Sequence, residues 1–152
     1  MKVVIKGNSR SEIKYIIDFL LDYNIDSFII FANLDKKERY ILENELFVWG
    51  IKGVVLKDEG GTFEELSLIK GSFNDTFLVV YSSEISKFDL VESSKYHKNA
   101  SKICTLLSTI KKTVGIFLEI EIFDYMTLPR HFEWEVIKRT FEDDEASVYS
   151  IN

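Results

Sequence analysis

Apolar residues at Ile13, Ile16, Ile17, Leu20 and Leu21 recur at the i, i+3, i+4, i+7, i+8 spacing of one buried helical face. Ser9 and Glu12 just ahead of them form a capping box, so Met1 to Tyr23 predicts a strand over Lys2 to Lys6, a tight turn at Gly7-Asn8, then a helix. Asn24-Ile25-Asp26 turns into a second strand, Ser27 to Phe31. Asp35 with Glu38 caps a second helix whose apolar positions are Ile41, Leu42, Leu46 and Trp49. A short strand follows near Gly53 to Lys57. Gly60-Gly61 then makes a loop, Thr62 with Glu65 forms another capping box, and a brief helix runs to Lys70. Phe77 to Tyr81 is an unbroken apolar and aromatic run, the pattern of a strand covered on both faces.

Up to that point the order is β-α-β-α-β-α-β, which predicts a mostly parallel sheet wound by right-handed crossovers, a Rossmann-like three-layer αβα core. The second half departs from it. After a helix from Asp89 to His97, Lys102 to Ser108 and Val114 to Ile122 read as strands joined by the polar turn Thr109 to Lys112, able to pair as a hairpin. In the second of these, Ile116, Leu118, Ile120 and Ile122 share one face, while Phe117, Glu119, Glu121 and Phe123 share the other. Pro129 precedes a helix from about Phe132 to Phe141 with Val136, Ile137 and Phe141 inward, and Ala146 to Ile151 closes as a last strand. Residues 1–152 read as a single domain, without repeats or linkers.

The chain has 152 residues, 46% of them hydrophobic, enough for a packed core without disulfides or metal. Its net charge of −6 opposes nonspecific binding to nucleic acid or to an anionic membrane, since both draw their affinity from lysine and arginine. The one cysteine, Cys104, lies in the apolar run Ile103 to Leu107 and reads as a buried, inert thiol, in keeping with a reducing cytoplasm. No apolar run reaches the ~18 residues of a membrane span, and the amino terminus lacks a signal-peptide core. The expectation is a soluble, cytoplasmic protein.

Candidate chemistry gathers at the ends of strands. Gly7-Asn8-Ser9-Arg10 sits at a strand-to-helix turn, where free N–H groups and the helix dipole favour an anion and Arg10 adds charge; the same residues also read as a plain N-cap. Gly60-Gly61-Thr62 carries the same two readings. His97 and His131 lack metal-ligand spacing and read as satisfied or surface histidines. Glu119 and Glu121 are expected on a solvated or interface-facing sheet surface, and Asp143-Asp144-Glu145 in a solvated turn.

The segment FLVVYSSEISKFDL, Phe77 to Leu90, resembles the sugar-1-phosphate nucleotidyltransferases (NDP-sugar pyrophosphorylases), with Asp89, the Tyr96-His97 pair and Thr105 matching later positions of the same region. Further segments are similar in the same order: MKVVIKG, SRSEIKYIIDFLLDYNIDSFII, DEGGTFEEL with Gly61-Thr62, VGIFLEIEIFDYM with Gly115, and FEWEVIKRTFEDDEASVYSIN. The resemblance implies a nucleotidyltransferase-like (GT-A-like) fold, shortened and degenerate. In the family the strand before Ser82-Ser83 ends in Gly-Asp, whose aspartate holds magnesium; Ser83 occupies that place, a degenerate metal position. Only Asn8 stands where the family carries a long glycine-rich loop that grips the triphosphate. The family's Glu-Lys-Pro stretch has no counterpart between Ser108 and Thr113, and its second metal aspartate belongs past Asn152.

Together these departures imply a protein without catalytic residues and without a cofactor, magnesium entering only if activity is retained. A nucleotide or nucleotide-sugar remains a candidate ligand of Gly7, Asn8, Ser9, Arg10, Gly60, Gly61 and Thr62. Loss of the sugar-side segment is expected to bare apolar sheet over Lys102 to Ile122, which predicts a homo-oligomer or another protein partner.

Overall fold

Four short apolar strands, each followed by a helix or helical turn, leave the chain one way to bury both sheet faces, and the computed structural model takes it. The description covers residues 1–126 and 133–151, without the side chains of Thr62, Glu133 and Trp134. The strands are β1 (Lys2–Gly7), β2 (Ser27–Ala32), β3 (Gly53–Lys57), β4 (Phe77–Val80), β5 (Cys104–Ser108), β6 (Thr113–Leu118) and β7 (Ala146–Ser150). The helices are α1 (Arg10–Leu20), α2 (Lys36–Val48), α3 (Thr62–Leu68), α4 (Leu90–Ala100) and α5 (Glu133–Glu142), with 3-10 turns at Lys70–Ser72, Ser83–Lys87 and Ile120–Tyr125. One seven-stranded sheet runs β3-β2-β1-β4-β6-β5-β7. β6 alone is antiparallel to its neighbours, so the expected αβα fold with a mostly parallel sheet is the observed one.

Alternation along each strand sends side chains to two cores. Val3, Ile5, Phe28, Ile30 and Leu78 meet Ile13, Ile16, Ile17 and Leu20 of α1 and Leu42 and Leu46 of α2. On the other face Val4, Ile29, Phe31, Phe77 and Val79 meet Phe63 and Leu66 of α3 and Val136 and Ile137 of α5. Burying each such side chain contributes roughly 1.5–3 kcal/mol, so the sheet's two-sided coverage supplies most of the fold's stability.

Several expectations change. The second hairpin strand ends at Leu118, and Glu119 leads into a 3-10 helix, so Glu119 and Glu121 do not share a strand face. Trp49 and Phe141 lie at the margins of their helical stripes and are half exposed, not inward. The helix from Asp89 begins one residue later, because Asp89 is its N-cap, accepting from the N–H groups of Val91 and Glu92. Apolar sheet is not bared over residues 102–122: Cys104, Leu106, Leu107, Val114, Ile116, Phe117 and Leu118 are all buried by the chain's own helices and turns. Cys104 is indeed an interior thiol, which burial pushes up to about 12. Pro129, His131 and Phe132 fall outside the described residues.

Candidate functional site

Strand order reverses between β1 and β4, and in open parallel sheets ligands bind beyond the carboxyl ends at that point. Here the two strands release Gly7 and Val80 toward the same rim. After Gly7 only Asn8 and Ser9 intervene before α1 begins. Ser9 caps the helix, its Oγ accepting from the Glu12 N–H at 3.2 Å. A Cβ on Gly7 would stand 2.4 Å from Ile13 Cγ1, so close packing of α1 on the sheet demands this glycine. Arg10 turns away from the strand end toward α2, where Glu45 receives it at 3.6 Å and Lys14 at 2.6 Å.

The Gly60-Gly61-Thr62 loop lies at the same rim, and Lys6 ties it to β1. Its ammonium donates to Asp58 Oδ1 (2.8 Å), to the Gly60 carbonyl (3.0 Å) and to Glu65 Oε1 (2.6 Å), 5.8 Å from the centre of the Phe31 ring. Asp58 Oδ1 also accepts the Gly60 N–H, and Glu65 Oε2 the Glu59 N–H. Burial opposes the Lys6 charge, but hydrogen bonds to Asp58 and Glu65 outweigh it and raise the lysine above its ordinary value. Burial likewise opposes the Asp58 charge and is outweighed by Lys6 and the Gly60 N–H, so Asp58 falls below its ordinary value. Glu65, the more deeply buried carboxylate, is raised by that burial. This engagement corrects the expected capping box: the N-cap of α3 is Gly61, without a side-chain cap, and Glu65 serves Lys6 instead. Gly60 has φ of 129°, a conformation open to glycine, which lets its carbonyl turn to the lysine.

At the end of β4, buried Ser82 caps the turn by accepting the Glu84 N–H at 3.1 Å, and Ser83 opens the 3-10 helix. That helix packs against α1: Ile85 is fully buried, and the Tyr15 hydroxyl donates to Ser86 Oγ at 3.2 Å. Glu84 accepts from Lys87 at 2.7 Å and pairs with Lys112 at 2.9 Å, which hold its carboxyl down at about 2. Between α1 and this turn lies only a shallow cleft of about 430 Å³. A Cβ on Gly115 would meet Val79 O at 3.0 Å and Ile85 Cδ1 at 3.3 Å, so this glycine serves the close approach of β6 to β4.

These donors do not fit a magnesium ion. The ion requires free carboxylate oxygens in octahedral array, whereas Ser83 offers a neutral hydroxyl and Glu84, Asp58 and Glu65 are each engaged by lysine. Among the described residues no three His, Cys, Asp or Glu side chains converge as metal ligands.

Two of the remaining matched residues, His97 and Thr105, meet at the opposite rim, in a network that sequence reading did not assemble. His97 is buried, with Nδ1 2.6 Å from Thr105 Oγ1 and Nε2 2.9 Å from Glu119 Oε1. Thr76 donates its hydroxyl to the same Glu119 oxygen at 2.6 Å, and Ser147 of β7 lies 2.8 Å from Thr105. Burial lowers the His97 pKa despite Glu119, so the neutral ring donates to the carboxylate through Nε2 and accepts the Thr105 hydroxyl at Nδ1. The histidine is therefore satisfied internally, one of the two readings its spacing left open. Asp89, His97, Thr105 and Gly115 are all accounted for by capping, hydrogen bonding or packing.

The fold is that of nucleotidyltransferases. It aligns with a 4-diphosphocytidyl-2C-methyl-D-erythritol synthase from Anaerococcus prevotii over 98% of this chain and 86% of that one, with a TM-score of 0.68 and 9% identity. The inositol-1-phosphate CTP transferase of T. maritima aligns over 98% and 84%, with a TM-score of 0.66 and 10% identity. Rv0371c of Mycobacterium tuberculosis, crystallised with manganese, aligns over 99% and 86%, with a TM-score of 0.64 and 10% identity. No family model and no curated protein sequence matches the chain. No helix among the described residues is long and apolar enough to cross a membrane.

Proposed function

We propose that this protein is a catalytically degenerate nucleotidyltransferase-like subunit, acting by binding a protein in sugar-nucleotide or polysaccharide metabolism in the cytoplasm. The observation that carries the reading is the two-residue passage from β1 to α1, which leaves no loop to enclose a triphosphate. Nucleotidyl transfer concentrates negative charge on phosphoryl oxygens and needs cations and donors aimed there. At this rim Lys6, Lys87 and Lys112 are bound to carboxylates of the chain itself, and Arg10 is drawn to Glu45. Removing a single preorganised donor costs on the order of 10²- to 10³-fold in rate, so losing the whole set leaves no useful turnover.

Incubation with nucleoside triphosphates, sugar 1-phosphates and magnesium should release no pyrophosphate above background; magnesium-dependent release would refute the proposal. A calorimetric or thermal-shift panel of nucleotides separates it from a retained binding module at Asn8 to Arg10 and Gly60 to Thr62. Binding restricted to the folded state must raise Tm, and the reading here requires a flat response.

A further inference from the structure

We propose that a second copy of this chain docks on the open edge of β3, antiparallel and centred on Val55, to make one continuous sheet across a two-fold axis. β3 ends the sheet. The Phe28 N–H donates to the Lys52 carbonyl and the Asp58 N–H to the Ala32 carbonyl, so Lys52 and Asp58 turn their main chain toward β2. By alternation Val54 and Leu56 do the same, and Gly53, Val55 and Lys57 direct their N–H and C=O groups outward. Such a row is a template for another strand unless something covers it.

The occupant follows from symmetry and charge. Antiparallel strands related by a two-fold axis set a residue opposite its own copy. With Val55 on the axis all five residues of β3 overlap: Gly53 faces Lys57 of the other copy, and Val54, 47% exposed, faces Leu56. One step further out Lys52 faces Asp58, so opposite charges meet at both ends of the interface. The same operation places α2 beside its copy. A helix seated over β2 and β3 comes about 10 Å from its mate at sheet spacing, a packing distance for helices. The flank of α2 turned toward α1 carries Glu45, whereas Tyr40 and Phe47, 66% and 84% exposed, sit on the opposite flank above the β3 edge. Pairing covers these aromatics with the same flank of the second copy, a self-complementary contact.

Light scattering of the intact protein at tens of micromolar should report a dimer. Phe47→Glu alters a side chain that touches almost nothing in the monomer and should weaken dimerisation about tenfold or more without changing the melt of the monomer. Lys57→Pro removes an outward N–H at an edge position where proline is tolerated and should give a monomer. The register is read independently by the Val54→Cys, Leu56→Cys double variant. Non-hydrogen-bonded cross-strand pairs lie about 4.5 Å apart at Cα, within disulfide range, so oxidation should yield a covalent dimer while buried Cys104 stays unreactive. A monomer throughout the concentration range, or a dimer that survives both single substitutions and fails to cross-link, overturns the proposal.

Discussion

The two rims of the sheet are both polar, yet they are held by different physics. At the carboxyl rim, full charges saturate one another: Lys6 with Asp58 and Glu65, and Glu84 with Lys87 and Lys112. At the amino rim a neutral histidine links hydroxyls to one carboxylate, joining α4 to β5, β7 and the segment after β6. In open parallel sheets the first rim, beyond the carboxyl ends of the strands, is where ligands bind. Here Lys6, Lys87 and Lys112 are each held by carboxylates of the chain itself. The second rim carries a hydrogen-bonded network under a helix, and its value depends on the histidine remaining uncharged.

The largest effect should come from Lys6→Ala, which strands Asp58 and Glu65 beside each other with little solvent to shield them. Breaking a mostly buried pair by removing one partner costs up to 3–5 kcal/mol; partial exposure of Asp58 reduces the expected loss to about 2–3 kcal/mol, read by urea denaturation. A loss below about 0.5 kcal/mol would show that the charges of this rim relax into water, and the contrast between rims would fall. Lys6 also sets an alkaline limit. Its folded pKa lies above the ordinary lysine value of 10.5, so its contribution is complete below that pH and is lost as pH rises through the folded value.

Next in size is His97→Leu, which leaves Thr105 without its ring acceptor and removes one of the donors to Glu119. The expected cost is about 1–3 kcal/mol, measured in the same way. The pH dependence has the opposite sign from that of Lys6. His97 titrates below 6.5 in the fold, so its stabilisation is present above 6.5 and is lost as pH falls through the folded value. Tm of the native protein should drop between pH 7 and 5, and His97→Leu should flatten that slope. An unchanged slope would place the acid sensitivity elsewhere.

The smallest effect is Glu84→Gln. Glu84 is held at about 2 against an ordinary 4.5, so its contribution exists above 4.5 and fades as pH falls toward 2. The variant should lose the pH dependence in that window together with the contribution at neutrality, a small loss because exposed pairs contribute little, and should converge with the native protein as pH falls toward 2. A clear loss at pH 7 would mean that the turn after β4 relies on charge as heavily as the Lys6 cluster does.

The elements most legible in the sequence are those whose cause is local. The buried stripe of α1 at Ile13, Ile16, Ile17 and Leu20, the caps at Ser9 and Asp35, and the two-sided burial of β4 follow from spacing and neighbouring side chains alone, whereas Leu21, expected on the same stripe, is the C-cap and half exposed. What escaped depends on partners far along the chain. Lys6 looked like the polar end of a strand because Asp58 and Glu65 are 52 and 59 residues away. For the same reason Glu65 looked like a capping residue. Glu119 falls on a sheet face only if the alternation of β6 is carried past its end at Leu118 to Ile122, and only the fold brings His97 and Thr76 to it. The lysine within KVVIKG was the available signal: a charge next to a buried apolar strand requires a counter-charge, though not one whose position can be named in advance.

The single reversed strand also sets an order of assembly. β6 lies between β4 and β5, so β5 emerges from synthesis before the strand that must separate it from the growing sheet. β1 to β4 can associate as they are made, each beside an earlier neighbour, but β5 has no place until the hairpin closes, and β7 pairs only with β5. The amino-terminal strands thus have their neighbours in place as they are made, whereas β5 and β7 acquire theirs only once β6 has closed the hairpin against β4.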